Sequence, residues 1–228
     1  MAKGLLTDLS FEELEELILK LGEPKFRAKQ LWSWLVKGVD FSQMSNMPKG
    51  FLDKLSQDYI AQGVEIYREF KSQKDGTVKY LYKLCDGNII EGVLMKYKYG
   101  NTLCVSTQVG CRMNCAFCAS GLDGLIRNLT AGEILGQVIA VNALNADGDD
   151  RGVTNIVLMG SGEPLDNYDN VCKFLTLVSA ENGLNISKRN ISLSTCGLCD
   201  RITQLADDGY TPTMTISLHA PNDEMRKE

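Results

Sequence analysis

Apolar residues along the chain follow three successive rhythms. Through about residue 60 they recur at helical spacing: Leu14, Leu17, Ile18 and Leu21 fall on one face. Ser10 and Glu13 stand where a capping box starts that helix, and Gly22 and Pro24 stop it. A second helix is expected from about Lys25 to Lys37, with Phe26, Leu31, Trp34 and Leu35 in the core. A third is expected from near Pro48, with Phe51, Leu52, Leu55 and Tyr59. From residue 64 the period drops to two. Val78, Tyr80, Tyr82 and Leu84 alternate with Thr77, Lys79 and Lys83, and Asp75-Gly76 and Asp86-Gly87 signal hairpin turns. This stretch reads as an antiparallel connector, or the rim of the next domain.

Beyond Asn101 strand-like and helix-like runs alternate. Strands are expected at 102–108, 153–159, 190–194 and 213–218, and helices at about 130–144, 167–180 and 199–208. Four βα-type units in a row make an α/β protein with a parallel sheet and right-handed crossovers. Ligands of such sheets bind at the carboxyl ends of the strands.

The length, 228 residues, suits one large domain or a domain with a small appendage. No apolar run approaches the ~20 residues of a membrane helix. Nor does the Glu-rich start look like a secretory leader, so a cytoplasmic protein without a membrane role is expected. The net charge of −5 does not suggest nucleic acid, but its distribution is uneven. Residues 25–54 carry six bases against two acids, so an acidic protein has a local basic zone, which from charge alone reads as a solvated surface.

The chemistry lies in the cysteines. Cys111, Cys115 and Cys118 form a C-x3-C-x2-C run in a loop after the first barrel-type strand. Three thiolates so close can hold a soft metal centre. A [4Fe–4S] cluster normally takes four, and three would leave one iron open. Zinc remains a rival, with Cys196 or His219 as fourth ligand, and so does a buried thiol cluster without metal. Gly160-Ser161-Gly162-Glu163 ends the second strand but is a weak signal by itself. Glu91 interrupts an apolar strand on the face of Ile89 and Val93, where a carboxylate must be paired or active.

The stretch Cys104–Cys118, continuing through Arg127-Asn128-Leu129-Thr130-Ala131-Gly132-Glu133-Ile134, resembles the radical S-adenosylmethionine (SAM) enzymes. Within them it is similar to the dual-specificity RNA adenine C2-methyltransferases, which act on large-subunit ribosomal RNA and on tRNA. The likeness extends to Glu23–Gln30 and Ser217–Glu224. It implies an incomplete (β/α)6 radical SAM barrel, with about four βα units, at 101–228. A β-hairpin connector at 61–100 and a helical RNA-binding domain at 1–60 would precede it.

By that resemblance Cys111, Cys115 and Cys118 ligate the cluster, and its open iron chelates SAM. Gly162, Glu163, Ser194, Ser217, Leu218 and His219 contact SAM. The sequence has Ser161 where the family more often has Met, and Leu198-Cys199-Asp200 also departs from the family; Cys196 and Cys199 are expected to be incidental thiols. Adenine C2 is electron-poor and SAM electrophilic, so a carbon radical is needed to join them. The family carries the methyl group on a second Cys near its C-terminus. Cys104 resolves the adduct through a transient disulfide, and Glu91, its pKa raised by burial, takes the C2 proton.

The implied partners are rRNA, tRNA and a flavodoxin-like reductant, and a monomer is expected. Lys25, Arg27, Lys29 and Lys37 would face RNA, while Trp32 and Trp34 are expected mainly in the core. A C8-methylating resistance enzyme is the alternative within the class; an electron-transfer or zinc-binding protein is the alternative outside it. Because the family's barrel has six strands and its methyl-carrying Cys lies beyond residue 228, the chain reads as a fragment. It would be unable to complete methyl transfer and would expose a barrel edge.

Overall fold

The computed structural model describes residues 3–148 and 150–227. The order is β1 (Gly4–Leu5), α1 (Phe11–Lys20), α2 (Phe26–Leu35), α3 (Lys49–Asp58), β2 (Tyr59–Ile60), β3 (Val64–Lys71), β4 (Val78–Leu84), β5 (Ile89–Tyr97), β6 (Gly100–Cys104), β7 (Gln108–Gly110), β8 (Leu125–Asn128), α4 (Ala131–Asn145), β9 (Asn155–Leu158), α5 (Tyr168–Ser179), β10 (Ile191–Thr195), α6 (Cys199–Asp207), β11 (Thr213–Ile216) and α7 (Asp223–Lys227). Helix α7 closes the described chain; Glu228 lies outside the described residues.

Helices α1–α3 close on a core of their own, built from Leu14, Ile18, Leu31, Leu35, Phe51 and Leu55. The Ser10–Glu13 capping box forms at the head of α1. Phe26, expected in this core, is instead 58% exposed, with the Arg27 guanidinium over its ring. At the first turn of α2 its side chain falls outside the stripe that Ala28, Leu31 and Leu35 present inward. Trp32 is buried, and its indole N–H donates to the Asn182 carbonyl (2.7 Å), tying the helical unit to the barrel side.

A single seven-stranded sheet runs in the order β11-β10-β9-β6-β5-β4-β3. The β6, β9, β10 and β11 strands are parallel, as consecutive βα units require. On the other side β5 pairs antiparallel with β6, so the hairpin strands continue the same sheet. Inward-facing Val78, Tyr80, Tyr82 and Leu84 pack against α4, whose residues 131–139 are all buried. A helix apolar on nearly every side belongs between layers.

The strand expected at 102–108 breaks after Cys104, and β7 turns away to pair with β8. Polar Ser106, Thr107 and Gln108 supply the reason, because their hydrogen bonds go to side chains and loops rather than to a ladder. The Ser106 N–H donates to Gln137 Oε1 (2.9 Å), and Gln137 Nε2 donates back to the Ser106 carbonyl (2.9 Å). Among the described residues no helix is long and apolar enough to cross a membrane.

Candidate active site

The carboxyl ends of β9, β10 and β11 open onto a cavity of roughly 280 Å³, roofed by the loop that carries the cysteine run. Eight residues singled out from the sequence line it: Cys111, Cys115, Cys118, Gly162, Glu163, Ser194, Ser217 and His219. Leu218 does not; it is 60% exposed.

The cysteine loop is a folded turn. The Cys111 N–H donates to the Gly124 carbonyl (3.0 Å) and the Cys118 N–H to the Cys115 carbonyl (3.0 Å). Asn114 takes a left-handed φ of 52°, a conformation that costs energy and is retained chiefly where a site needs it. Arg112 pairs with Asp166 (2.8 Å), fixing the loop to the segment after Glu163. Burial pushes the Cys111 thiol up; a backbone hydrogen bond at Met113 opposes this, and the nearness of Cys115, Cys118 and Glu163 adds to it. The thiol therefore holds its proton until a soft metal centre displaces it.

Cys111, Cys115 and Cys118 all face the cavity. Three soft thiol donors so arranged suit an iron–sulfur centre, whose thiolates are spread over separate irons.

The turn at 160–163 is held from below by residues the sequence did not flag. Ser106 is fully buried; its hydroxyl donates to the Glu91 carbonyl (2.7 Å) and accepts from the Ser161 N–H (2.9 Å). Gln108, also fully buried, accepts from the Glu163 N–H (2.9 Å) and donates to Asn128 and Asp166 (2.8 Å each). Gly162 has φ +103°, and a Cβ there would lie 2.6 Å from Gln108. Its glycine is therefore required by backbone geometry and by Gln108, before any ligand is considered. The only available signal was polarity: three consecutive polar residues at the end of a strand that should be apolar.

The Glu163 carboxylate is 4% exposed and accepts from the Leu165 N–H (3.0 Å) and the Cys196 N–H (2.8 Å). These bonds aim it, and its edge faces the cavity. Ser194 and Ser217 join across β10 and β11, hydroxyl to hydroxyl, at 2.9 Å. His219 has φ 55° and packs its ring against Phe117 at 4.7 Å, closing the fourth strand end onto the cysteine loop. Ser161 lies 3.3 Å from Ser120 of that loop through its own hydroxyl.

Cys104 and Glu91 lie beside this cavity, not in its lining. Cys104 stands opposite Val93 on β5 and Val157 on β9, so it shares its sheet face with Glu91. Burial pushes the Cys104 thiol up to about 11; the Met159 N–H opposes this, and the Glu91 charge adds to it. Glu91 corrects one expectation. It is not buried: its side chain is 48% exposed and paired with Lys79 at 2.5 Å. The Ile89–Glu91–Val93 face is the sheet's open one, and the core takes Ile90 and Leu94 instead. Paired, as the sequence required, the carboxylate needs no burial to be held. None of the eight cysteines is in a disulfide here, and the residues facing Cys104 across its strand are valines; the transient pairing expected of Cys104 is with a cysteine outside these residues.

The comparisons with known proteins now bear on this geometry. Residues 105–228 match the model of the radical SAM superfamily. The chain belongs to the radical SAM superfamily. Residues 5–60 match the ribosomal RNA large subunit methyltransferase N-terminal domain. Among curated relatives, the "Probable dual-specificity RNA methyltransferase RlmN" of Clostridium botulinum is 54% identical over 224 residues, which cover 98% of this chain and 63% of that protein. Its namesake from Clostridium tetani is 51% identical over the same shares. A crystal structure of a radical SAM methyltransferase from Sphaerobacter thermophilus superposes with a TM-score of 0.92 at 39% identity, covering 98% of this chain and 66% of that one. The chain thus spans about 63% of the length of the curated relatives it matches.

Proposed function

We propose that this chain carries the cluster- and SAM-binding part of an RNA methyltransferase that adds a methyl group to C2 of adenine in large-subunit rRNA and tRNA. One observation carries the reading. The three thiols, the Gly-Ser-Gly-Glu turn and the Ser194–Ser217 pair line one cavity, with Cys104 and Glu91 on the adjoining open face. A [4Fe–4S] cluster with SAM, held by Cys111, Cys115 and Cys118, would supply a carbon radical next to that face.

The chain's own residues would do the rest. Glu163, aimed by two backbone N–H groups, offers an anionic edge for the ammonium of SAM. Ser194 and Ser217 offer hydroxyls to its polar tail. Glu91, paired with Lys79 and open to solvent, can take the C2 proton from an adenine laid on the sheet. The Cys104 thiolate would attack the sulfur that joins the methyl-carrying cysteine, supplied from outside these 228 residues, to the adenine adduct; the S–S bond forms as the S–C bond breaks, and the departing carbon keeps the electron pair and takes up a proton. A flavodoxin-like protein would reduce the cluster, and the reaction would belong in the cytoplasm with its RNA substrates.

The test is anaerobic reconstitution with iron and sulfide, then SAM under reducing conditions. A brown chromophore and release of 5′-deoxyadenosine support the reading; stoichiometric zinc without SAM turnover would sink it. Mass spectrometry of RNA digested after reaction with a full-length relative distinguishes C2 from C8.

A further inference from the structure

We propose that the open face of β3–β5, beside Cys104 and Glu91, is the track on which the RNA strand flanking the target adenine lies. The inference rests on the RNA reading above and adds the surface that would hold the substrate. Strand register defines this face. One row crosses the sheet through Phe70, Lys79, Val93, Cys104 and Val157. The next row runs Arg68, Leu81, Glu91. An adenine in reach of both Cys104 and Glu91 therefore lies across β5 and β6.

Its neighbours can leave in two directions. Toward β9–β11 lies the cavity assigned to the cluster and SAM. Toward β4 and β3 the face is free, and its composition suits a single strand. Phe70 and, at the β-bulge beside it, Tyr67 are 48% and 58% exposed, and the Arg68 guanidinium sits about midway between their rings, at 5.9 and 6.0 Å. Exposed aromatic rings with an interleaved guanidinium stack on unpaired bases without selecting sequence. Lys83 lies in the following row, opposite Glu65, and neither it nor Arg68 has an ion-pair partner among the described residues. In the helical unit Lys25 and Arg27 are held by Glu15 and Glu23, whereas Lys29 and Lys37 have no ion pair among the described residues. On the sheet face beside the reactive pair, Arg68 and Lys83 are the cations available for phosphate. A target base must leave its stack for chemistry at C2, so the substrate is unpaired here, as stacking rings require.

Fluorescence anisotropy tests this with the reconstituted chain and a short fluorescein-labelled RNA stem-loop that has an unpaired adenine. Phe70→Ala and Arg68→Gln should each weaken binding roughly fivefold or more. Arg68→Gln and Lys83→Gln should each also lower the salt slope by about 0.7. Lys188→Gln, at the amino end of β10, should change nothing beyond its single charge. Thermal unfolding checks that each variant folds. With 4-thiouridine on either side of the adenine, cross-links should map to residues 67–83. If RNA binds but the variants match wild type and cross-links fall only in residues 25–54, the strip is wrong and the functional reading survives. If the cluster loads and SAM is cleaved but no RNA binds, the RNA reading fails with it. Self-association that the same variants abolish, with RNA binding unchanged, would make the face a contact between copies and overturn the proposal.

Discussion

The helical unit and the carboxyl end of the sheet are built on opposite plans. In α1–α3, Leu14, Ile18, Leu31, Leu35 and Leu55 meet in a dry core, and charged groups such as Lys25 and Glu15 pair with one another at the surface. At the sheet end several buried groups are polar, and Gln108, Ser106 and Asn167 each have particular partners on other elements. Gln108 joins Asn128, Asp166 and Glu163, Ser106 joins Glu91 and Ser161, and Asn167 donates to the carbonyls of Thr107 and Leu129. Two of the three described non-glycine residues with left-handed backbone, Asn114 and His219, lie at this end as well. Apolar area is interchangeable, so the first region stores stability. Addressed hydrogen bonds are not, so the second stores position. A substitution should therefore harm stability in one region and chemistry in the other, and variants can test that separation.

The sharpest separation is expected at Cys118. Cys118→Ala removes an exposed thiol with little packing, so the unloaded chain should unfold within about 0.5 kcal/mol of wild type. Iron and sulfide loading after anaerobic reconstitution should be lost; full loading would refute its role as a ligand. Leu31→Ala should do the reverse. A fully buried leucine in the helical core costs about 2–5 kcal/mol when truncated, measured by denaturant unfolding, while the folded fraction still loads its cluster. Loss of loading in parallel with stability would mean that the two plans are one.

How legible each region was depends on the same contrast. The helical unit announces itself locally, because a capping box, a 3.6-residue stripe and a Gly-Pro stop act within a few residues of one another. Phe26 misled because a stripe fixes a face only to within about a turn at a helix end. The hairpin strands were equally open to reading through Tyr80, Tyr82 and the two Asp-Gly turns. The cysteine run could be seen because its ligands are close in sequence. Ser106, Gln108, Asn128 and Asp166 could not, since they meet only once β7 leaves the sheet and β9 arrives beside β6. Glu91 shows the limit of period-two reading. Alternation gives two faces correctly but does not say which one the helices cover, and here α4 covers the other.

Gln108 stands between the two plans, since its loss should cost both. Gln108→Leu fills similar volume but strands the Glu163 N–H and removes the donor to Asn128, leaving Asp166 to Arg112 alone. Leaving such groups unpaired costs about 1–3 kcal/mol. The same change frees the turn that carries Glu163, so SAM retention by the reconstituted protein should fall in equilibrium dialysis. A loss of stability with SAM retention intact would confine Gln108 to a structural role.

The smallest effect is expected where the two thiol environments differ, at Cys104. Alkylation requires the thiolate. With its thiol pushed up to about 11 by burial, to which the Glu91 charge contributes, Cys104 should react slowly at neutral pH and faster as pH rises toward that value. Glu91→Gln removes a negative neighbour, favours the thiolate and lowers the Cys104 pKa. Its alkylation at mildly alkaline pH should then quicken by a few-fold, since each unit of pKa is worth about 1.4 kcal/mol. Lys79→Gln removes the cation that neutralises Glu91, so the same reaction should slow. Opposite signs in the two variants, followed by mass spectrometry of the Cys104 peptide, would mean that carboxylate and thiol sense each other across the face on which adenine is proposed to lie. Equal rates in both would separate them and leave Lys79–Glu91 as an ordinary surface pair, worth little to stability and nothing to the thiol.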